Sequence, residues 1–122
     1  MNNLIKLSNL SKSFDNYKKI RVLKKISFKF KKGMIYALMG PSGSGKSTLL
    51  NLISLIDRPT AGSINIGNKQ INFNNSNYND ILRANKIGII YQQDNLLPDF
   101  TAIENVYLVY SLLWNRLKML NG

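Results

Sequence analysis

Residues 40–47 read Gly40-Pro41-Ser42-Gly43-Ser44-Gly45-Lys46-Ser47, fitting the pattern G-x-x-x-x-G-K-[ST]. The run before it, Met34-Ile35-Tyr36-Ala37-Leu38-Met39, is short and apolar on both faces, as a central parallel strand covered by helices on each side would be. The run after it, Ser47 to Ile56, sets Leu49, Leu50, Leu52, Ile53 and Ile56 at helical spacing, an apolar stripe for packing on a sheet. Strand, glycine-rich loop and helix in that order imply an anion cradle. Gly40, Gly43 and Gly45 let successive backbone N–H groups converge on phosphate oxygens. Lys46 is expected to bridge the terminal phosphates and the Ser47 hydroxyl to ligate magnesium, while the start of the helix adds its positive dipole end. The binding set expected here is Gly40, Pro41, Ser42, Gly43, Ser44, Gly45, Lys46 and Ser47, continuing to Thr48. A purely structural glycine turn would need neither the lysine–hydroxyl pair nor the flanking strand and helix.

Upstream, Leu4 to Phe14 alternates Leu4, Lys6 and Ser8 with Ile5, Leu7 and Asn9, which reads as a strand with one buried face. Asp15 to Lys19 is turn-like, and Val22 to Phe30 alternates again with Ile26, Phe28 and Phe30 on one side. Downstream, Asp57-Arg58-Pro59-Thr60-Ala61-Gly62 breaks the loop helix, and Ser63 to Gly67 is a short strand. Asn72 to Asn79 reads as a loop, Asp80 to Asn85 as a short helix, Ile87 to Tyr91 as another strand and Ala102 to Leu117 as a final helix. The fold class is α/β: a P-loop NTPase core, incomplete, with an antiparallel β portion in front and its chemistry at the carboxyl end of a parallel sheet.

The chain has 122 residues, 44% of them hydrophobic, enough for one compact domain or part of one. It contains no cysteine and no histidine, so disulfides, thiolate or imidazole metal sites and a histidine base are excluded within it. No apolar run reaches the ~20 residues of a membrane-spanning helix, and Met1-Asn2-Asn3 does not open a signal peptide, so a cytoplasmic chain is expected. The net charge of +11 comes from lysines dispersed over strand faces and turns (Lys6, Lys12, Lys18, Lys19, Lys24, Lys25, Lys29, Lys31, Lys32), without the interleaved aromatics of a nucleic-acid platform. A solvated basic face is expected, and no nucleic-acid partner.

The loop GPSGSGKSTLL, preceded by VLKKISFKFKKG and followed by DRPTAGSI, resembles the ATP-binding subunits of ABC transporters. The resemblance covers Leu4 to Val106 and leaves residues 107–122 as a divergent tail, so that residues 1–106 would be the amino-terminal part of an ABC-type domain. It implies ATP as the nucleotide and Mg2+ as its metal, and makes Gln92, in Ile89-Ile90-Tyr91-Gln92, the glutamine that contacts magnesium and the attacking water. The same segment would meet a membrane subunit. Phe14, ending Leu10-Ser11-Lys12-Ser13-Phe14, would stack on adenine, with Val22 lining the same pocket. Leu96-Leu97-Pro98-Asp99-Phe100-Thr101-Ala102-Ile103-Glu104-Asn105-Val106 is similar to the lipoprotein-releasing ATPases of the LolD type and their MacB-type export relatives. The implied partners are transporter membrane subunits and a second ATPase subunit, on the cytoplasmic face of the inner membrane.

Departures from the family pattern are also legible. Ser54 stands where glycine is common after the loop helix. The 122 residues contain no LSGGQ-like signature, no apolar strand ending in Asp-Glu and no switch histidine, so an ATP hydrolase by family is expected to be inactive as this chain alone. A shifted frame or early stop would account for the tail, as would an amphipathic partner helix with Leu112, Leu113 and Trp114 exposed. The competing expectations are a non-catalytic or decayed nucleotide-binding fragment and another P-loop NTPase.

Overall fold

The computed structural model describes residues 3–16 and 18–120, without the side chains of residues 16, 18, 19, 113 and 115–120. It divides into two compact units, Met1–Ile87 and Gly88–Gly122. In the first, β1 (Asn3–Asn16) pairs antiparallel with β2 (Lys18–Lys31) on one side and with β3 (Ala61–Ile66) on the other. The short β4 (Lys69–Gln70), which the sequence does not announce, follows β3 through Gly67 and completes the order β2-β1-β3-β4. Helix α1 (Lys46–Ile53) and helix α2 (Ser76–Lys86) belong to the same unit.

β1 departs from strict alternation in a way that builds the core. Leu7 and Leu10 are both fully buried although three residues apart, which a period of two forbids. A bulge reconciles them: the register shifts between the two, and Asn9 takes a φ of 48°. Hydroxyls satisfy the displaced backbone, Asn9 N–H donating to Ser27 Oγ at 2.9 Å and Lys25 N–H to Ser11 Oγ at 3.0 Å. Leu7 and Leu10 then meet Leu23, Leu49, Leu52, Leu55, Ile64 and Ile71 in one cluster, each such burial contributing about 1.5–3 kcal/mol.

Lys12, expected on a solvated face, is buried instead. Its Nζ lies 2.8 Å from Asp57 Oδ2 and donates to the Arg58 carbonyl at 2.8 Å, tying β1 to the segment that leaves α1. Thr60 completes the join, its N–H donating to Ser11 O and its Oγ1 accepting from Ser13 N–H, both at 2.9 Å. The exposed cations Arg21, Lys24, Lys25, Lys29 and Lys31 line β2, the outer strand of the sheet, where charge opposes pairing with another chain.

The loop helix ends at Ile53, three residues before Ile56, in a Schellman closure: Leu55 N–H donates to Leu52 O at 3.1 Å and Ile56 N–H to Asn51 O at 3.0 Å. The position where glycine relieves strain is therefore Leu55, at φ 60°, while Ser54 has an ordinary φ of −82° and turns its hydroxyl back to Leu50 O at 2.5 Å. Helix α2 is longer than the expected Asp80–Asn85. Asn75 caps it by accepting from Tyr78 N–H at 3.1 Å, so the second half of the asparagine-rich stretch is helix rather than loop. Arg83 anchors α2 by donating to Leu55 O at 2.6 Å.

Two expected strands do not form among the described residues. Met34–Met39 and Ile87–Tyr91 make no ladder, and every pairing in the sheet is antiparallel. A parallel strand needs neighbours brought in by long crossovers, whereas the hairpin β1–β2 finds its partner locally. In the second unit, residues 88–101 lack regular structure and α3 (Ala102–Leu120) runs beyond the expected Leu117. Leu112 and Trp114 are exposed there, and Leu113 lies outside the described side chains.

Candidate functional site

The phosphate-loop candidates lie together at the amino end of α1. Gly45 is the N-cap residue at φ 92°, and a Cβ on it would sit 3.0 Å from both Val22 Cγ1 and Leu23 Cδ2. Only glycine allows both that left-handed turn and the close approach to β2. No side chain caps the helix and its first turn carries no acid, so its leading N–H groups and positive dipole end are free for an anion. Pro41, Ser42, Gly43, Ser44 and Ser47 are exposed, and Ser44 N–H closes the loop on Pro41 O at 3.2 Å.

Lys46 curls over its own loop. Its Nζ donates to Gly40 O at 2.5 Å and Pro41 O at 2.7 Å, with Ser44 Oγ at 3.4 Å. The two carbonyls hold one cation at the mouth of a glycine-rich turn whose other polar groups are backbone donors and hydroxyls. This donor set fits a polyphosphate: the N–H groups and Nζ take its oxygens, and the Ser47 hydroxyl offers a hard oxygen for magnesium. Among the described residues no group of three or more His, Cys, Asp or Glu could hold a metal ion by itself, so a metal here would lean on phosphate oxygens.

Val22 is packed against Gly45 and therefore lies next to the loop. Phe14 lies opposite Ile20 near the end of β1 and is 38% exposed, with Lys12 Nζ 5.0 Å from the ring centroid. Lys12 thus joins the aromatic candidate to Asp57, a link the sequence pattern does not reveal. Burial pushes the Asp57 carboxyl upward, but the Lys12 hydrogen bond, the Arg58 N–H and both positive charges outweigh it and hold the group below its ordinary value. Gln92 is exposed at a bend in the second unit.

Sequence reading starts the final helix at Ala102 without a cap, and the polar residues of Leu96–Val106 build that start. Thr101 and Glu104 form a capping box, Glu104 Oε2 accepting from Thr101 N–H at 2.7 Å while Thr101 Oγ1 accepts from Glu104 N–H at 3.3 Å. The Thr101 backbone and hydroxyl donors lower the Glu104 carboxyl below its usual value. Asn105 accepts from Leu97 N–H at 2.8 Å and donates to the carbonyls of Leu97, Phe100 and Thr101. The T-x-x-E spacing was the available signal for the cap; Asn105 had none.

The sequence profile described as "ABC transporter" matches residues 23–121. The chain belongs to the ABC transporter ATP-binding family. It is 42% identical over 106 residues to the uncharacterized ABC transporter ATP-binding protein MJ0796 of Methanocaldococcus jannaschii, covering 86% of this chain and 45% of that one. It is 44% identical over 108 residues to the lipoprotein-releasing system ATP-binding protein LolD of Rickettsia bellii, covering 88% and 47%. The dimeric structure of the MJ0796 cassette in a post-hydrolysis state bound to ADP and Pi superposes with a TM-score of 0.81 at 40% identity, over 89% of this chain and 47% of that one. The fold class expected from the sequence is that of these ABC cassettes. The chain spans about half the length of the curated relatives it matches.

Proposed function

We propose that this chain is the amino-terminal, phosphate-binding part of an ABC cassette that binds Mg-ATP in the loop Gly40–Ser47. The observation that carries the reading is Lys46: its ammonium is held over the loop at the open end of an uncapped helix. Lys46 moves from the carbonyls of Gly40 and Pro41 to the terminal phosphates, and the backbone from Gly43 to Thr48 supplies N–H donors. Ser47 ligates magnesium, which when bound draws charge from the phosphate oxygens. Phe14 would stack on the adenine with Val22 lining the same pocket, and Gln92 would contact magnesium and the attacking water. Residues 1–106 form this part and residues 107–122 a divergent tail, although α3 crosses that boundary without a break.

The whole assembly we infer is a LolD-like transporter: two cassettes drive membrane subunits in lipoprotein release or export, from the cytoplasmic face of the inner membrane. Two relatives' names support this reading. No helix among the described residues is long and apolar enough to cross a membrane. The exposed row Ile103, Val106, Tyr107 and Tyr110 on α3, in the unit that carries Gln92, fits contact with a membrane subunit.

Equilibrium titration of the purified chain with Mg-ATP tests the nucleotide reading. Micromolar to millimolar binding is expected, falling at least tenfold in Lys46→Ala, about 1.4 kcal/mol. Hydrolysis by the isolated chain should be negligible, because its 122 residues carry neither the signature run nor the Asp-Glu strand. Sustained Lys46-dependent turnover would sink that half of the proposal, and tight binding unaffected by Lys46→Ala would sink the other.

A further inference from the structure

Lys12 is a buried cation to which the nucleotide reading gives no part. Its side chain is 11% exposed, and three partners meet its ammonium: Asp57 Oδ2 at 2.8 Å, the Arg58 carbonyl at 2.8 Å and the Phe14 ring, with its centroid 5.0 Å away. A buried ammonium needs a carboxylate and hydrogen bonds, and the first two partners meet that need. The ring is an addition to it. Phe14 is 38% exposed, so the cation occupies part of the ring and leaves the remainder open to a ligand.

The register of the hairpin carries this pair to the phosphate loop. Lys12 lies opposite Leu23 and Ser13 opposite Arg21, so one step on β1 spans two on β2 and Val22 is the extra residue of a bulge. Val22 and Leu23, although adjacent, both stand where a Cβ on Gly45 would meet them at 3.0 Å, so both turn to the face that carries the loop. Lys12 shares that face with its partner Leu23, and Phe14 shares it with Ile20, about 7 Å further along the strand. A second connection runs through α1. The helix that begins at Lys46 closes with Asp57 N–H donating to Asn51 O at 3.2 Å, and the Asp57 carboxylate then takes Lys12. One helix and one ion pair thus join the loop to the ring.

We propose that Lys12 is a positioning residue of the nucleotide site: Asp57 and the Arg58 carbonyl hold its ammonium against Phe14, and this fixes the ring for stacking on the nucleobase. A half-exposed aromatic side chain loses rotamer freedom when a base settles on it, and a cation already seated against the ring removes that freedom beforehand. The ammonium also draws on the negative face of the ring, which lessens the repulsion between stacked π systems. The proposal rests on the reading of Phe14 as the base-stacking ring given above, and its test separates the two.

The test measures equilibrium binding to the full chain of Mg-ATP and of magnesium tripolyphosphate, which keeps the phosphates and lacks the base. Phe14→Ala should weaken ATP about tenfold and leave tripolyphosphate unchanged. Lys12→Met, which keeps the aliphatic stem and removes the charge, should weaken ATP about threefold, again without effect on tripolyphosphate. Added to Phe14→Ala, it should cost ATP nothing further, because its effect passes through the ring. Asp57→Asn leaves the cation but loosens its anchor; it should give a smaller ATP-selective loss, and it carries the test if Lys12→Met does not fold. A loss in Phe14→Ala with none in Lys12→Met or Asp57→Asn would overturn the positioning role and leave the base-stacking reading standing. Equal losses of ATP and tripolyphosphate in the Lys12 and Asp57 variants would reduce the ion pair to a structural tie and overturn the proposal as well. ATP binding unchanged in Phe14→Ala, or a parent chain that binds neither ligand, would overturn the proposal together with the reading beneath it.

Discussion

The pair β1–β2 and the segment Met34–Met39 are neighbours in sequence and the second is the more apolar, yet the first is ordered by ladder bonds and the second pairs with nothing among the described residues. The difference follows from topology, against what composition alone would suggest. A hairpin closes over a few residues, so its loop-closure cost is small and each added pair meets a strand already in place. A central parallel strand gains no ladder bonds until neighbours arrive from far along a chain. Strand-like sequence is therefore a statement about potential pairing, and the exposed hydrophobic surface of Met34–Met39 measures how much of that potential is unfulfilled.

On the ordered side of this comparison a large effect is expected at Gly62. It has φ 88°, and a Cβ there would press on the Asn9 carbonyl and come within 2.7 Å of Leu10 Cα, at the bulge that lets Leu7 and Leu10 both face the core. Backbone cannot yield as a flexible side chain can. Left-handed strain and overpacking together set the cost of Gly62→Ala at about 3 kcal/mol, read from the urea unfolding midpoint. A loss under about 1 kcal/mol would mean that β3 can shift away from β1 and that the bulge is not pinned as described.

A paired substitution sharpens the same comparison. Leu10 is fully buried and Leu10→Ala should cost about 2–5 kcal/mol, whereas Ile35→Asn, at a residue 99% exposed, should lie within about 0.5 kcal/mol of the parent. Comparable losses at the two sites would show that Met34–Met39 is packed in solution, and the contrast drawn between the two regions would fail.

What could be read in advance follows the same division. The phosphate loop was legible because its chemistry is local: glycines, lysine and serine at fixed spacing need only the strand-to-helix turn to bring them together, and the structure places Lys46 on its own loop carbonyls. The hairpin and α1 were legible from periodicity. Lys12 was misread as solvated because nothing local reveals that Asp57, far along the sequence, comes to meet it. Asn75 and Asn79 were assigned to a loop on composition, although asparagine also caps helices, and Asn79 is buried with its Nδ2 donating to Asn72 O at 2.9 Å. Strain at Leu55 escaped notice because the helix stops at Ile53, before its apolar pattern ends.

The smallest expected effect concerns Asp57, whose pairing with Lys12 holds the hairpin to the segment after α1. Asp57 is 34% exposed and Lys12 11%, so solvent screens the pair on one side, and Asp57→Asn should cost about 1 kcal/mol at neutral pH. The sign of its pH dependence is fixed by the direction of the shift. A carboxyl held below its ordinary 3.8 is charged and bound in the folded chain while its unfolded counterpart is already taking up protons. Its contribution is therefore complete above 3.8 and is lost as the pH falls through the lower folded value. Unfolding midpoints of the parent and Asp57→Asn should stay a constant distance apart from pH 7 down to about 5, then converge in the acid range below 3.8. A gap that persists undiminished at the acid end would show that the substituted amide disrupts packing rather than merely removing the charge. A gap absent at every pH would leave Arg58 O as sufficient partner for the buried ammonium and remove the ion pair from the forces that join β1 to the end of the loop helix.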